Sequence, residues 1–340
     1  MNPDRFQQLA QHYSALRVGI LGDFCLDRYL EIDPARTETS IETGLPVYNV
    51  VHVRAQPGGA GTILNNLVAL GVGSIYPIGF CGEDGEGYEL RRALAAHPAV
   101  RLDGFLQTQE RRTFTYCKPL VLEPGQPPRE LNRLDSKNWT PTPAAVETAL
   151  VASLLRLAPQ LDALIILDQV DIAETGVVTR QVLQTLGQLA VQRKDWLMIA
   201  DSRRGLRGWP PVVFKMNAVE LAALNHVAAK LELVEVKRMA CSLAQQQGRW
   251  VFVTLADRGM LVATPQGEVE QVPALPLRGP IDIVGAGDAV TANLAVSLAA
   301  GATPREALEV ASLAASVVIH QLGTTGAASQ PTISELLAQS

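Results

Sequence analysis

The sequence predicts an α/β fold with a doubly wound, mostly parallel sheet. Short apolar runs rich in β-branched residues alternate with longer helical patterns along the 340-residue chain. Such continuously apolar runs suit strands that helices cover on both faces, and their regular alternation with helices is typical of doubly wound sheets. The predicted strands are residues 17–22, 75–79, 163–167, 196–200 and 250–255, and the clearest helices between them are residues 144–157 and 175–192.

Two segments, residues 29–56 and 111–134, break this alternation. They are rich in Thr, Pro and Glu, and polar residues alternate with apolar ones, as in residues 46–53. This period of two is typical of strands with one exposed face. We therefore predict a small antiparallel sheet that projects from a single domain of residues 1–340. A pair of long surface loops is the alternative interpretation.

Composition and charge favour small-molecule chemistry. The net charge is −5, and the 29 Lys+Arg and 34 Asp+Glu residues are spread along the chain without a basic block for nucleic acid or an anionic membrane surface. The four cysteines form no CxxC pair and the five histidines no HExxH motif, which predicts reduced thiols and no histidine metal centre. The N-terminus is polar, and no apolar run approaches the ~20 residues of a transmembrane helix, so we expect a cytoplasmic protein.

The strongest chemical signal is the segment DIVGAGD, residues 282–288, which precedes a small-residue helical pattern over 289–300. Glycines before a helix let the backbone approach a ligand closely, and the free N–H groups of the first turn bind anions. A carboxylate at such a site repels phosphate, but it can accept a proton from a hydroxyl group that attacks the phosphate. Asp288 is therefore a candidate base. A carboxylate that only stabilises the helix start is the alternative.

Two N-terminal segments carry candidate binding residues. Asp23 and Asp27 follow the first predicted strand, where doubly wound sheets bind ligands, and a carboxylate can accept hydrogen bonds from two hydroxyl groups. Gly58 and Gly59 precede a helical pattern, and they would let backbone N–H groups reach a substrate. A solvated turn and a flexible helix entry explain the same residues without a ligand.

With these segments in place, the sequence resembles the ribokinase/PfkB family of carbohydrate kinases over about residues 17–323. The resemblance rests on Gly58-Gly59 and on residues 82–87 (GEDGEG), 217–220 (NAVE) and 285–288 (GAGD). Within the family the chain is most similar to the kinase domain of the bifunctional heptose-7-phosphate kinase/adenylyltransferase, through residues 42–47, 132–135, 162–168 and 322–324. The chain ends where an adenylyltransferase domain would begin, so we expect that second activity to be absent.

The resemblance implies a ribokinase-like fold and ATP-dependent phosphorylation of a sugar or sugar-phosphate hydroxyl, with a heptose-phosphate-like substrate favoured. Asp288 would be the base, and the N–H groups of Gly285, Ala286 and Gly287 would stabilise the transferring phosphoryl group. The implied substrate-binding residues are Asp23, Asp27, Gly58, Gly59 and Thr62.

The resemblance also implies cofactors and a partner. Asn217 and Glu220 would help to hold Mg²⁺, largely through water molecules, and Asp282 matches a position close to a monovalent-cation site that would take K⁺. The implied ATP-binding residues are Asn217, Glu220, Thr254, Gly259 and Ser312. The projecting sheet would be a lid that closes over the sugar and joins two copies of the chain into a homodimer.

Several positions depart from the family pattern. Thr62 stands where the family commonly has Asn, and Val284 where the subgroup has Thr. Arg203 and Arg204 keep positive charge where a Lys is more usual, and they could bind a substrate phosphate or simply be solvated at the surface. Because the predicted base and anion site are retained, we interpret the departures as a shifted substrate. The Thr62 and Val284 departures leave a non-catalytic sugar- or nucleotide-binding member of the same fold as the alternative. A dinucleotide-dependent oxidoreductase is disfavoured, because no GxGxxG motif follows the first predicted strand.

Overall fold

The computed structural model describes residues 1–227 and 231–339. The helices of these residues, α1 to α10 in chain order, are Pro3–Tyr13, Ala60–Ala69, Gly85–Ala95, Ala144–Leu157, Arg180–Gln192, Ala218–Leu224, Leu233–Gln247, Ala286–Ala299, Pro304–Val318 and Gln330–Ala338. Their strands, β1 to β16, are Arg17–Gly22, Phe24–Ile32, Glu38–Thr39, Pro46–Val47, Val50–Gly59, Ser74–Gly82, Phe105–Thr108, Phe114–Val121, Arg129–Glu130, Leu134–Ser136, Ala163–Asp168, Leu197–Ser202, Val213–Asn217, Val251–Thr254, Met260–Ala263 and Val269–Val272.

The main sheet has the strand order β16-β15-β14-β13-β12-β11-β1-β6-β7 among the described strands. Every pairing from β14 to β7 is parallel, and only β15 and β16 pair antiparallel. The predicted doubly wound, mostly parallel sheet is therefore confirmed. From β1 the chain continues to β6 on one side and later returns to β11 on the other, so the strand order reverses beside β1. In such sheets ligands bind at the carboxyl ends of the strands near the reversal.

Helices cover both faces of the main sheet. One hydrophobic core packs side chains of α1, α2, α8, α9 and α10 against the sheet, and the other packs α4, α5 and α7. All six residues of β11 are buried, which explains why its sequence shows a continuous apolar run without alternation. No helix in the described part of the chain is both long enough and apolar enough to cross a bilayer.

A second sheet has the strand order β10-β8-β2-β5, with β9 paired to β8. Its β2–β5 and β8–β10 pairings are antiparallel as predicted, while β2 and β8 pair in parallel. Its strand β2 starts at Phe24, two residues after β1 ends, so the second sheet rises directly from the carboxyl edge of the main sheet. The strands extend inward beyond residues 29–56 and 111–134, because their inner ends, such as Phe24 to Leu26, are buried and lack alternation.

The two faces of the second sheet have different neighbours. On one face, the Arg28 guanidinium lies 3.8 Å from Glu86 and 3.1 Å from Glu89 of α3. Since side chains alternate along a strand, Asp27 and Tyr29 of β2 point to the opposite face. Lys118 of β8 pairs with Tyr29 in register and joins them there. We call this opposite face, which carries Asp27, Tyr29 and Lys118, the polar face.

Two helix boundaries differ from the prediction, and both bear on the site. Residues 175–179, predicted as helix, form a loop before α5, because the Val177 N–H donates to the Asp23 carboxylate at 2.7 Å and holds the backbone extended to the Thr179 N-cap. Helix α8 begins at Ala286, three residues earlier than predicted. Ala286 to Asp288 therefore form its first turn, with Gly285 as the N-cap at φ +82°.

Candidate active site

A buried ion pair lies beside the start of α8, at the carboxyl end of the main sheet. The Nζ atom of Lys215 on β13 lies 2.6 Å from Oδ2 of Asp201 on β12, and the Thr291 hydroxyl of α8 donates to the same oxygen at 3.2 Å. The Lys215 side chain is only 7% exposed. Burial opposes its charge, but the Asp201 carboxylate outweighs burial and raises the pKa of Lys215. The ammonium group is therefore charged at neutral pH.

The Asp288 carboxylate lies near this pair without an ion-pair or hydrogen-bond partner among the described residues. Burial raises the pKa of Asp288 to about 7, and the Asp201 charge adds to the rise, while Lys215 opposes it. A carboxylate with a pKa near neutrality can take up and release a proton under ordinary conditions. The geometry thus provides a proton acceptor at a helix start.

The first turn of α8 and Lys215 together form a candidate anion site. The first N–H groups of a helix have no acceptor within the helix and carry partial positive charge. A Cβ atom on Gly287 would lie 3.2 Å from Lys215 Nζ, so the ammonium reaches this turn. Of the three predicted amides, the Ala286 N–H donates to the Ile283 carbonyl at 3.2 Å. In this structure the groups free to bind an anion are therefore the other predicted amides and the Lys215 ammonium.

Asp27 lies across from Asp288 on the polar face of the second sheet. Lys118 Nζ is 3.5 Å from Asp27 Oδ1, and a Cβ atom on Gly58 would lie 2.7 Å from Asp27 Oδ2, which explains the glycine at that position. Burial raises the pKa of Asp27 although Lys118 opposes the rise. The Asp27 charge also raises the pKa of Asp288, so the two carboxylates are close enough to influence each other electrostatically.

Asp23 has a different environment from Asp27. Its two carboxylate oxygens accept hydrogen bonds from the Gln169 N–H at 2.8 Å and the Val177 N–H at 2.7 Å. Burial and the Asp168 charge raise its pKa to about 7, against the effect of these N–H groups. Asp23 therefore fixes the loop after β11, and it borders a cleft lined by Cys25, Phe114, Tyr116, Trp139, Gln169 and Ile172.

The start of α2 contacts the start of α8. Gly59, the N-cap of α2, has φ +58°, and a Cβ atom there would lie 2.6 Å from the Asp23 carbonyl oxygen. Thr62 is buried in the first turn of α2, and its methyl group is 3.5 Å from the position of a Cβ atom on Gly285. The predicted sugar-binding segment and the predicted anion site thus form one site.

Asn217 and Glu220 form the capping box of α6. The Asn217 side chain accepts the Glu220 N–H at 2.9 Å, and the Glu220 carboxylate accepts the Asn217 N–H at 2.7 Å. Burial raises the pKa of Glu220, and its charge acts on Lys215, so the pair flanks the anion site. Helix capping alone accounts for both residues.

The remaining predicted residues lie on neighbouring elements. Thr254 ends β14, and Ser312 is buried in α9. Gly259 has φ +86°, and a Cβ atom there would lie 2.0 Å from the Val272 carbonyl oxygen, so packing explains this glycine without a ligand. The Asp282 carboxylate, three residues before the N-cap of α8, accepts the Val284 N–H at 3.0 Å.

Residues outside the sequence prediction complete the charge distribution of the site. Lys215 stands two residues before Asn217 on one strand, and this spacing is the signal that could have identified it, since residues i and i+2 share a face. The Arg133 guanidinium lies 4.8 Å from the centre of the Tyr116 ring and pairs with Asp135 at 2.7 Å.

The predicted cations Arg203 and Arg204 pair with Asp171 at 3.5 Å and Asp168 at 2.7 Å.

Comparison with known proteins identifies the sequence class. A family model described as pfkB family carbohydrate kinase matches residues 24–332. The bifunctional protein HldE of Koribacter versatilis is 31% identical over 330 residues, which cover 94% of this chain and 63% of that protein. HldE of a Bradyrhizobium species is 29% identical over 328 residues, which cover 95% and 64%. The chain thus spans less than two thirds of the length of these relatives.

Solved structures share the fold. Ribokinase from Arabidopsis thaliana, complexed with ribose and ATP, has a TM-score of 0.65 at 18% identity, with 95% of this chain and 98% of that chain covered. Phosphofructokinase-2 from Escherichia coli, in complex with potassium, has a TM-score of 0.69 at 19% identity with the same coverage.

The raised pKa of Asp288 predicts that replacement of this carboxylate stabilises the protein above neutral pH. Since the folded-state pKa of about 7 exceeds the value of 3.8 in the unfolded chain, the wild type loses stability as pH rises from 4 through 7. Asp288→Asn avoids this loss, so its free energy of unfolding should exceed that of the wild type by ~1–3 kcal/mol at pH 8 and by little at pH 4. Urea unfolding at both pH values measures the difference. Asp195→Asn, at an exposed position, is the control. An equal difference at both pH values would contradict the prediction.

Proposed function

The chain belongs to the pfkB family of carbohydrate kinases, and from this premise we propose that it transfers the γ-phosphoryl group of ATP to a hydroxyl group of a phosphorylated sugar, with Asp288 as the base. The observation that carries the proposal is the Asp288 carboxylate, unpartnered among the described residues, beside the helix start and Lys215. A heptose-phosphate-like acceptor is favoured by the similarity to HldE.

The proposed reaction uses both sides of the site. The sugar hydroxyl attacks the γ-phosphorus atom, and its proton passes to the Asp288 carboxylate. The bond between the γ-phosphorus and the β–γ bridging oxygen breaks, and ADP leaves with the electron pair. First-turn N–H groups of α8 and the Lys215 ammonium stabilise the charge on the phosphoryl oxygens. Of the predicted amides, Gly287 and Gly285 would serve in this role, whereas the Ala286 N–H already donates to the Ile283 carbonyl.

The sugar is proposed to lie between Asp288 and the polar face. Asp27 and the Gly58–Gly59 backbone would bind its hydroxyl groups, with Thr62 at the border of the anion site. Because both oxygens of Asp23 bind the loop after β11, we assign Asp23 to positioning this loop.

A phosphate on the acceptor is supported by cations around this space. Lys118 lies 3.5 Å from Asp27, and the Arg133 charge acts on the same carboxylate. Guanidinium groups bind phosphate in bidentate fashion, so a substrate phosphate would compete with Asp135 for Arg133. Arg203, which is partly exposed beside the cleft, offers a third cation.

The metal ions would bind on the opposite side, by the phosphates of ATP. An amide oxygen and one carboxylate, from Asn217 and Glu220, fit an ion such as Mg²⁺ that keeps most of its water ligands. When bound, Mg²⁺ would neutralise charge on the phosphates. Because the phosphofructokinase-2 structure contains potassium, we propose Asp282 as a ligand for K⁺. Thr254, Gly259 and Ser312 would border the nucleotide.

The second sheet is proposed to act as the lid and as a homodimer interface of this single-domain chain. Its edge strand β5 and the β3–β4 hairpin carry exposed apolar side chains. An unpaired, apolar edge strand favours pairing with another chain, and a second copy offers a symmetric partner. The exposed side chains are Ile41, Leu45, Tyr48, Val50, Val51 and Val53.

An acceptor screen combined with an Asp288→Asn variant tests the proposed function. ADP release is measured with mannose 6-phosphate, fructose 6-phosphate, ribose 5-phosphate, sedoheptulose 7-phosphate, a mannoheptose 7-phosphate and the unphosphorylated sugars. Loss of the proton acceptor should lower kcat by ~10²–10⁴-fold, with ATP affinity by calorimetry nearly unchanged. Sugar binding without turnover of any acceptor would instead establish the non-catalytic alternative.

The pH dependence of kcat/KM should report the ionisation of Asp288. Because the base acts when deprotonated, activity should rise with pH through about 7 and then level off. The Asp201 charge raises the pKa of Asp288, so Asp201→Asn should move this acidic limb to lower pH even if the maximal rate falls. A limb that stays in place or moves upward would argue against Asp288 as the titrating base.

The homodimer proposal predicts that one charge on the β5 edge yields monomers. Val53→Glu places a carboxylate in the proposed interface, where an unpaired charge is costly to bury. Sedimentation velocity should show monomers for this variant and dimers for the wild type. Val191→Glu, at an exposed position of α5, should remain dimeric. Wild-type monomers at micromolar concentration would rule out the interface.

A further inference from the structure

The polar face carries a buried side-chain amide that no protein group satisfies. Gln56 lies on β5, directly opposite Asp27 on β2 in the antiparallel register. Its Nε2 atom is buried and has no hydrogen-bond partner in the part of the chain that the structure describes. An amide that is both desolvated and unpaired is costly, so such groups call for an explanation.

The register fixes the direction in which Gln56 points. Residues directly opposite in an antiparallel pair project to the same face, with Cβ atoms ~4.5–5.5 Å apart. Gln56 therefore shares the polar face with Asp27, and Gly58, two residues along the strand, also touches the Asp27 carboxylate. The other face of this strand pair, with Arg28 opposite Ala55, rests on α3. Gln56 is thus on the same face as Asp27, whose charge acts on Asp288.

We propose that Gln56 is a specificity-determining residue whose amide N–H donates to an oxygen of the acceptor sugar. The inference rests on the proposed function and deepens it. Asp27 accepts hydrogen bonds, whereas Gln56 Nε2 only donates, so together they bind a hydroxyl group as donor and as acceptor. A sugar that lacks the hydroxyl at this place leaves the amide unpaired and is rejected.

A stability measurement distinguishes a sugar-binding role of Gln56 from a structural role. When a side chain supports the fold, its replacement lowers the stability of the protein. Gln56→Met keeps a similar length and removes the amide, so its Tm should equal or exceed that of the wild type. Gln107→Met makes the same substitution at an exposed position of β7 and is the matched control.

The experiment compares these three proteins with the best acceptor from the phosphorylated-sugar panel and with its deoxy analogues, one for each hydroxyl group. Gln56→Met should raise KM for the acceptor about tenfold or more and leave KM for ATP unchanged. For the wild type and for Gln107→Met, kcat/KM with one deoxy analogue should be lower than with the parent acceptor by a similar factor. For Gln56→Met, kcat/KM should be the same with this analogue as with the parent acceptor, because the contact is already absent.

Each other outcome overturns the inference in a recognisable way. Suppose that the wild type phosphorylates an acceptor. If Gln56→Met then has an unchanged KM for this acceptor, or if its kcat/KM falls as much as that of the wild type with every deoxy analogue, Gln56 does not contact the sugar. The proposed function then stands. A lowered Tm with equal rises of both KM values would assign Gln56 a structural role. If the wild type neither phosphorylates nor binds any acceptor by calorimetry, the proposed function fails and the inference fails with it.

Discussion

The buried contact between Lys215 and Asp201 determines the electrostatics of the whole site. A buried ammonium without a carboxylate partner would tend to lose its proton, and the helix start would lose its strongest cation. Burial raises the pKa of Asp288 to about 7, and the two charges of the ion pair act on it in opposite directions: Asp201 raises it further and Lys215 lowers it. One ion pair thus keeps a charged ammonium beside the start of α8 and also influences the pKa of the neighbouring carboxylate.

Carboxylates with raised pKa values concentrate at the carboxyl ends of the strands near the reversal of strand order. Burial raises the pKa of three of them: Asp23, which follows β1; Asp168, the last residue of β11; and Asp288, in the first turn of α8. Each carries a cost in stability at neutral pH that a core of apolar side chains would not carry. Asp23 and Asp168 offset part of that cost through loop amides and Arg204, while Asp288 has no such partner among the described residues.

Local patterns predicted the fold well, and they indicated part of the candidate site. The continuous apolar runs identified the parallel strands, and DIVGAGD indicated Asp288 as the candidate base, because both signals lie in consecutive residues. The role of Asp23 and the position of Gln56 depend on which strands pair and in which register, and a single sequence does not contain that information. Gly259 has a packing explanation that no local pattern indicates, because a Cβ atom at this position would collide with the Val272 carbonyl oxygen.

The connection between the two sheets links the proposed sugar-binding face directly to the candidate anion site. Strand β5 ends at Gly59 and α2 begins at Ala60, so no loop separates the polar face from the helix whose first turn touches Gly285. A Cβ atom on Gly58 would collide with the Asp27 carboxylate, and a Cβ atom on Gly59 would collide with the Asp23 carbonyl oxygen. Glycine is therefore the only residue that fits at either position. We therefore expect a displacement of β5 to act through these two glycines on the start of α2, which contacts α8. The proposed sugar-binding face and the candidate anion site are in this sense directly connected.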